Sequence, residues 1–445
     1  MSHDSEQLRR IGMSQPNADA KAPRFDGCDR ALDAMGAGAE RWSIWVPGRI
    51  ELFGKHTDYA GGRSLLCAVE RGFAVRAALR TDNTLRAVDA ATGEQCDTRL
   101  DSAPMETGVS WAPYVGTVAK RLARNFACAR RGVDLAFSSD LPVAAGMSSS
   151  SALMIAVFVS LGKSNDLRSA EEFRREMFSR EELASYLGCI ENGETFRSLE
   201  GDAGIGTFGG SQDHTAIMCS TAERVVQYSF APVRREAVYR MPPTHTFVIA
   251  SSGVVAEKSA GARDAYNRAC LLVRHVLQSW NHTTGRKDAT LGDAVRSAPD
   301  AAQRLRHVAE AAATAEFPAE HLVHRIDQFV LEAFELIPAA GSALARGALD
   351  ELGPLADRSQ RAAREWLGNQ IPETIALATL AREVGATAAS AFGAGFGGSV
   401  WALVPLGSAS DFAAAWDARY RQAFPAQAAR AAFFATAAGP GAMQW

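Results

Sequence analysis

Short apolar alternations broken by glycine and proline dominate the first half of the chain. Trp42-Ser-Ile-Trp-Val46 and Arg49-Ile-Glu-Leu-Phe53 read as strands on either side of Pro47-Gly48, with further strands expected over 64–80, 84–90 and 133–138. The polar stretch 94–108 reads as turn. Apolar residues predict a helix over 111–129, a buried helix over 152–161 and helical structure over 167–196. Two more strands are expected around 215–220 and 225–230. Pro232 and Pro242-Pro243 mark a crossing into a second half. That half begins with a strand at 244–250 and continues with helices over 257–280, 290–297, 300–314, 322–336, 340–347, 352–365 and 370–384. A strand at 400–404 and a helix at 408–421 close it. Interspersed strands and long helices give an α+β fold with lobes at 31–235 and 236–445. A polar segment at 1–30, expected to be flexible or loosely docked, precedes them.

Composition narrows the function classes. The chain has 445 residues, 47% of them hydrophobic, with 47 basic against 50 acidic side chains and a formal net charge of -3. That length supplies two or three domains with real cores, and the charge balance gives no reason to expect a nucleic-acid partner. Seven cysteines at 28, 67, 96, 128, 189, 219 and 270 form no close pair, which argues against a disulfide framework or a structural zinc site. The first residues have no apolar signal core, and no run is long and apolar enough for a membrane span, so a cytoplasmic location is expected. Only six of the basic residues are lysine, so a lysine in an unusual place carries information.

Three glycine-rich segments carry candidate chemistry. Gly48 to His56 imitates a P-loop, but its glycines are one residue too far apart and His56 stands where a magnesium-binding hydroxyl is needed. Gly393-Ala-Gly395-Phe-Gly-Gly398 satisfies a dinucleotide spacing, yet it precedes a strand near the C-terminus instead of opening a helix. Leu141-Pro-Val-Ala-Ala-Gly146-Met-Ser148-Ser149-Ser150-Ser151 runs into an apolar helix. A glycine turn with hydroxyls at a helix start offers free backbone N–H groups and the positive end of the dipole, which suits phosphate. The same segment could be no more than a serine-rich N-cap. Its company favours phosphate: His56-Thr-Asp58-Tyr lies beside Gly61-Gly62, and Asp213-His214 follows Gly209-Gly210-Ser-Gln. Carboxylates, an anion loop and a second glycine loop together meet the needs of phosphoryl transfer.

On these motifs the chain resembles the GHMP kinase superfamily, and within it the galactokinases. The carriers are Pro47 to Gly62, Pro142 to Ala152 and Ala394 to Gly398, with weaker echoes at Trp111 to Val115 and Tyr266-Asn-Arg268. The resemblance covers roughly 40–405 in the family's order. It implies a ribosomal-protein-S5-domain-2-like N-terminal lobe and a ferredoxin-like C-terminal lobe, with ATP and a sugar in the cleft between. It further implies that Asp213 takes or orients the proton of the anomeric hydroxyl, with Arg49 beside it. His56, Asp58 and Tyr266 fall on the sugar side. Gly146 and Ser148 to Ser151 would surround the ATP phosphates, with Gly395 and Gly397 closing over them. Mg²⁺ would take Ser149 or Ser150 and a carboxylate, Glu191 or Glu194.

Two departures fall on the acceptor side. Lys55 stands where galactokinases carry Glu, which implies a changed contact at the far end of the sugar unless the ammonium turns aside to a carboxylate such as Glu51. The residues flanking Asp213 also differ. The resulting expectation is a cytoplasmic, magnesium- and ATP-dependent sugar kinase, monomeric or a small homo-oligomer, acting on the anomeric hydroxyl of galactose or a relative. Its alternatives are a kinase for a uronic acid, heptose phosphate or fucose, and an inactive sugar- and ATP-binding regulator.

Overall fold

The computed structural model describes residues 2–101, 108–142, 145–254 and 260–445, the side chains of 260–262 apart. Residues 102–107, 143–144 of the serine-rich loop and 257–259 of a predicted helix lie outside that description. The chain begins with helices α1 (His3–Arg10) and α2 (Gln15–Ala34). It continues through strands β1 (Arg41–Phe53), β2 (Arg63–Leu79), β3 (Thr84–Asp89) and β4 (Gln95–Arg99) to α3 (Ala112–Asn125), β5 (Val133–Ser139) and α4 (Ser149–Ser164). After α5 (Glu171–Glu176), α6 (Arg180–Asn192) and α7 (Gln212–Cys219) come β6 (Arg224–Ser229), β7 (Arg234–Arg240) and β8 (His245–Ser251). A helical stretch follows: α8 (Ala260–Thr284), α9 (Leu291–Arg296), α10 (Ala301–Ala311), α11 (Ala319–Val330), α12 (Ile337–Arg346), α13 (Leu352–Ala362) and α14 (Pro372–Val384). Strands β9 (Ala388–Phe392) and β10 (Ser399–Pro405), helix α15 (Ala409–Ala423) and strands β11 (Ala432–Thr436), β12 (Ala438–Gly439) and β13 (Met443–Gln444) complete it.

Two sheets organise these elements. The first has nine strands around the path β13-β1-β2-β5-β3-β4, with β12 and β6 attached along β2 and β7 paired to β6. The second has the order β11-β8-β10-β9, all antiparallel. Numbered within that lobe, the order is 4-1-3-2 with helices in both crossovers, the ferredoxin-like arrangement. Helices α14 and α15 cover it through Leu377, Trp416 and Tyr420. One large core joins the lobes, running from Ile44 and Phe53 through Ile155 and Leu187 to Phe247, Trp401 and Leu336. Helices α8 to α11 hold a separate cluster around Trp280 and Phe329.

Several expectations are corrected. Residues 3–34 are two packed helices, not a flexible lead-in: Leu8, Phe25, Cys28 and Leu32 are fully buried and α2 lies across β2 and β5. Salt bridges Asp4–Arg76 at 2.7 Å and Lys21–Asp140 tie both helices to the sheet. The strand expected at 215–220 is helix α7, because the run Ala216-Ile217-Met218 is too short for its period to separate strand from buried helix. The crossing segment contains β7, an edge strand with an exposed pattern that carries no hydrophobic alternation. Strand β4 occupies part of the expected turn, and β9 was hidden by its alanines. The first lobe also does not end near 235, since β12 and β13 return to it from the C-terminus.

The packing of α2 makes a direct prediction. Phe25→Ala removes a fully buried ring that sits 5.6 Å from Trp445. It should lower unfolding free energy by about 3–5 kcal/mol in urea titration. A change below about 0.5 kcal/mol would restore the loosely docked reading.

Candidate active site

Strand β1 is interrupted where the chemistry begins. Its pairing with β2 shifts register between Pro47 and Arg49, and such bulges re-aim the residue that follows. Arg49 emerges buried, with Nε donating to Asp213 Oδ1 at 2.8 Å and Nη1 donating to the Gly146 carbonyl at 2.6 Å. Asp213 occupies the first turn of α7, where the helix dipole favours a negative charge. Burial pushes its carboxyl up, but the Arg49 guanidinium outweighs that and holds it below the usual carboxylate range. It remains one-third exposed and can meet a ligand.

An open cavity of about 80 Å³ lies beside this pair. Its wall includes Glu51, His56, Asp58, Tyr59, Gln212 and Tyr266. Gly54 at φ 118° makes the turn that delivers His56, Asp58 and Tyr59, and a Cβ there would stand 2.3 Å from Ser64 Oγ. Gly210 is needed for a different reason: a Cβ would stand 2.2 Å from Asp58 Oδ2, so only glycine lets the Asp213 segment approach Asp58. The Gln212 amide donates to that same oxygen at 3.0 Å. Burial pushes the Asp58 carboxyl up to about 6 and the His56 imidazole down to about 4. A neutral ring fits its contacts. Nε2–H donates to the Ala394 carbonyl at 3.0 Å, and Nδ1 accepts from Tyr59 Oη at 3.0 Å. Both His56 nitrogens are therefore held by protein, while the Tyr266 ring lies 5.2 Å away.

The phosphate-loop residues lie alongside. Ser148 has a left-handed backbone (φ 62°) and precedes the sixteen-residue α4, whose first turn is Ser149-Ser150-Ser151. Gly146 faces the third glycine loop across a gap at Gly398, and Ser399 Oγ donates to the Ala145 carbonyl at 2.6 Å. Gly395 rests on Asn369, and Gly397 lies buried in the same loop. Of the metal candidates, Glu191 accepts from Ser151 Oγ at 3.0 Å, and its Oε2 lies 3.5 Å from His214 Nε2. Ser151, in the same helix turn as Ser149 and Ser150, is the hydroxyl that meets this carboxylate. Glu194 is paired with Arg274 and half-exposed, outside this wall. No cluster of three or more metal-ligating side chains exists among the described residues. One carboxylate and one hydroxyl still fit Mg²⁺, which completes its oxygen shell with water and phosphate.

Lys55 is placed differently from expectation. It is fully buried, is absent from the cavity wall, and donates from Nζ to Ser359 Oγ at 2.8 Å. Ser359 in turn donates to Glu332 Oε1 at 3.0 Å, which also accepts from the Gly54 amide at 2.8 Å. The ammonium thus serves an internal network between the lobes. Sequence reasoning missed Glu51, Gln212 and Tyr59 as wall residues. It also missed Arg325, Gln328 and Glu332, which hold the backbone of 54–56. Their spacing along one helix was the only signal, and a solvated helix face has the same spacing.

Comparison with known proteins fits this geometry. Residues 36–79 match the galactokinase galactose-binding signature, 113–220 the GHMP kinases N terminal domain and 341–422 the GHMP kinases C terminal domain. The chain belongs to the GHMP kinase superfamily. Within it the chain is galactokinase-like. A galactokinase of Actinobacillus pleuropneumoniae serotype 5b is 27% identical over 377 residues, 82% of this chain and 85% of the relative. One from Roseiflexus sp. is 28% identical over 376 residues, covering 83% and 85%. The crystal structure of Lactococcus lactis galactokinase complexed with galactose superposes with a TM-score of 0.73 at 23% identity, over 94% of this chain and 98% of that one. As a GHMP kinase the protein is an ATP-dependent kinase of a small metabolite.

Charge at His56 is the most direct check on this geometry. Its pKa drops on folding, from 6.5 to about 4, so the unfolded chain takes up a proton that the native ring refuses. Stability carried by this group is therefore lost as pH falls below about 6.5. Nitrogen NMR of labelled imidazole should show an Nε2–H tautomer with no titration between about pH 5.5 and 8. An inflection near 6.5 assigned to His56 would contradict the arrangement.

Proposed function

We propose that this kinase phosphorylates a free monosaccharide at its anomeric hydroxyl, with galactose or a close relative as substrate. The observation that carries the reading is the Arg49–Asp213 pair on a cavity whose wall comes from the segment matching the galactose-binding signature. Asp213 accepts a hydrogen bond from the attacking hydroxyl and receives its proton as the bond to phosphorus forms. A carboxylate held below its usual range is a weak base. Orientation of the nucleophile is therefore its larger contribution, which suits the loose transition state of phosphoryl transfer. Arg49 keeps Asp213 ionised and, through the Gly146 carbonyl, fixes the phosphate loop against it. Free N–H groups at the start of α4 receive the ATP phosphates. Mg²⁺, held by Glu191 and Ser151, would supply charge neutralisation on those phosphates.

Asp58 and His56 enclose the sugar. Lys55, whose charge motivated an anionic substrate, is engaged with Ser359, so a neutral sugar is the better reading.

Two measurements test this. Asp213→Asn should cut galactose-dependent ADP release by about 10²–10⁴-fold with nucleotide binding nearly unchanged. Activity within tenfold of the unmutated protein would remove Asp213 from this role. Glu191→Gln should raise the Mg²⁺ concentration for half-maximal rate by about tenfold or more, and an unchanged requirement would send the metal elsewhere.

A further inference from the structure

Glu51 is absent from the chemistry above, yet its environment is unusual. Its side chain is 1% exposed and forms part of the cavity wall. One oxygen is committed: Oε2 accepts from Gln212 Nε2. That amide is held in turn by Ser64, whose Oγ donates to the Gln212 side-chain oxygen and is packed under Gly54. The other oxygen, Oε1, is buried and has no hydrogen-bond partner in the protein. A buried carboxyl oxygen left unpaired costs about 1–3 kcal/mol, and more if charged. Lys55 and Arg49 supply the nearest positive charge and Glu332 the nearest negative, but none of them bonds Oε1.

We propose that Glu51 Oε1 reads a hydroxyl of the acceptor sugar and is a specificity-determining contact of this kinase. The proposal rests on the sugar-kinase reading above and deepens it. A sugar hydroxyl both donates and accepts, so it satisfies the carboxyl in either protonation state. Burial pushes Glu51 up to about 8, against Lys55 and Arg49, so near neutral pH Oε1 is able to donate as well as accept. The Ser64–Gln212–Glu51 chain fixes the direction of this contact from inside the lobe, which distinguishes it from a carboxyl on a mobile loop. The rival role is structural: Glu51 as a remote counter-charge for Lys55.

The test compares unmutated protein, Glu51→Gln and Glu51→Ala by ADP release with galactose and its 2-, 3-, 4- and 6-deoxy derivatives, with melting temperatures alongside. Glu51→Ala should raise KM for galactose about tenfold or more while KM for ATP stays within about twofold, and Glu51→Gln, whose amide can still donate to the hydroxyl, should lose less. One deoxy derivative, already poor with unmutated protein, should lose nothing further on substitution, because the hydroxyl that Glu51 reads is missing from it. An equal penalty across all derivatives, or a fall in melting temperature with kinetics unchanged, overturns the contact and leaves the counter-charge role. If Glu51→Ala does not fold, Glu51→Met, which keeps the volume and removes the carboxyl, takes its place. If unmutated protein releases no ADP with any of these sugars, the sugar reading falls and this contact with it.

Discussion

The site depends on one helix gripping three consecutive backbone groups. Arg325 donates to the His56 carbonyl, Gln328 to the Lys55 carbonyl, and Glu332 accepts from the Gly54 amide. The three side chains recur at intervals of three and four residues along α11 and the π-helical turn, Leu331–Leu336, that extends it. One helix face thereby reads the polarity of a loop it does not belong to. All three are 1% exposed or less, so each bond forms away from water and losing one strands its partner at about 1–3 kcal/mol. The π turn fits this role, since local widening of the helix shifts the phase at which Glu332 is presented. Lys55 and Ser359 extend the grip to α13, so the signature loop of the first lobe is fastened to two helices of the second.

Around this fastening, charge is distributed unevenly and to effect. Cations near the cavity are committed: Arg49 to Asp213 and Gly146, Arg325 to Gln328 and His56, Lys55 to Ser359. The acids divide. Asp213 keeps its charge because a guanidinium touches it, while Asp58 and Glu51, without such a contact, are driven toward neutrality by burial. Neighbouring carboxyls in one chamber thus have separate characters, one an ionised acceptor and two that hold protons to higher pH.

Much of this was legible in the residues. The strands read on either side of Pro47-Gly48 are the two halves of β1, and the register shift between them carries Arg49 to Asp213. Gly209-Gly210 ahead of Asp213 was noted as part of the polar constellation, but the close approach of Gly210 to Asp58 that requires the glycine was not. Legibility failed where residue type and role part company. Ser151 beside Glu191, not Ser149 or Ser150, follows from helical phase that a run of four serines conceals. Lys55 was conspicuous as a rare lysine in a substrate motif, yet its partners lie about three hundred residues away, which no local pattern records. Helix α2 was hidden by an alanine-rich, weakly amphipathic sequence whose burial depends on a sheet formed later in the chain.

The return of the last strands to the first sheet has a consequence for how the two lobes exist. Ile44 and Trp45 pair with Gln444 and Met443, and the Trp445 backbone exchanges hydrogen bonds with Ser43 while its indole donates to Asp4. The first lobe therefore encloses the second along the chain, like brackets around a clause. The second lobe's four strands lie in one continuous stretch, 245–436, whereas the first cannot be excised as a continuous segment that keeps all its hydrogen-bonded strands, and a recombination event exchanging one lobe for a homologue's would need two crossover points instead of one. Substrate preference in such an architecture changes more readily by replacement of individual wall residues than by exchange of whole modules.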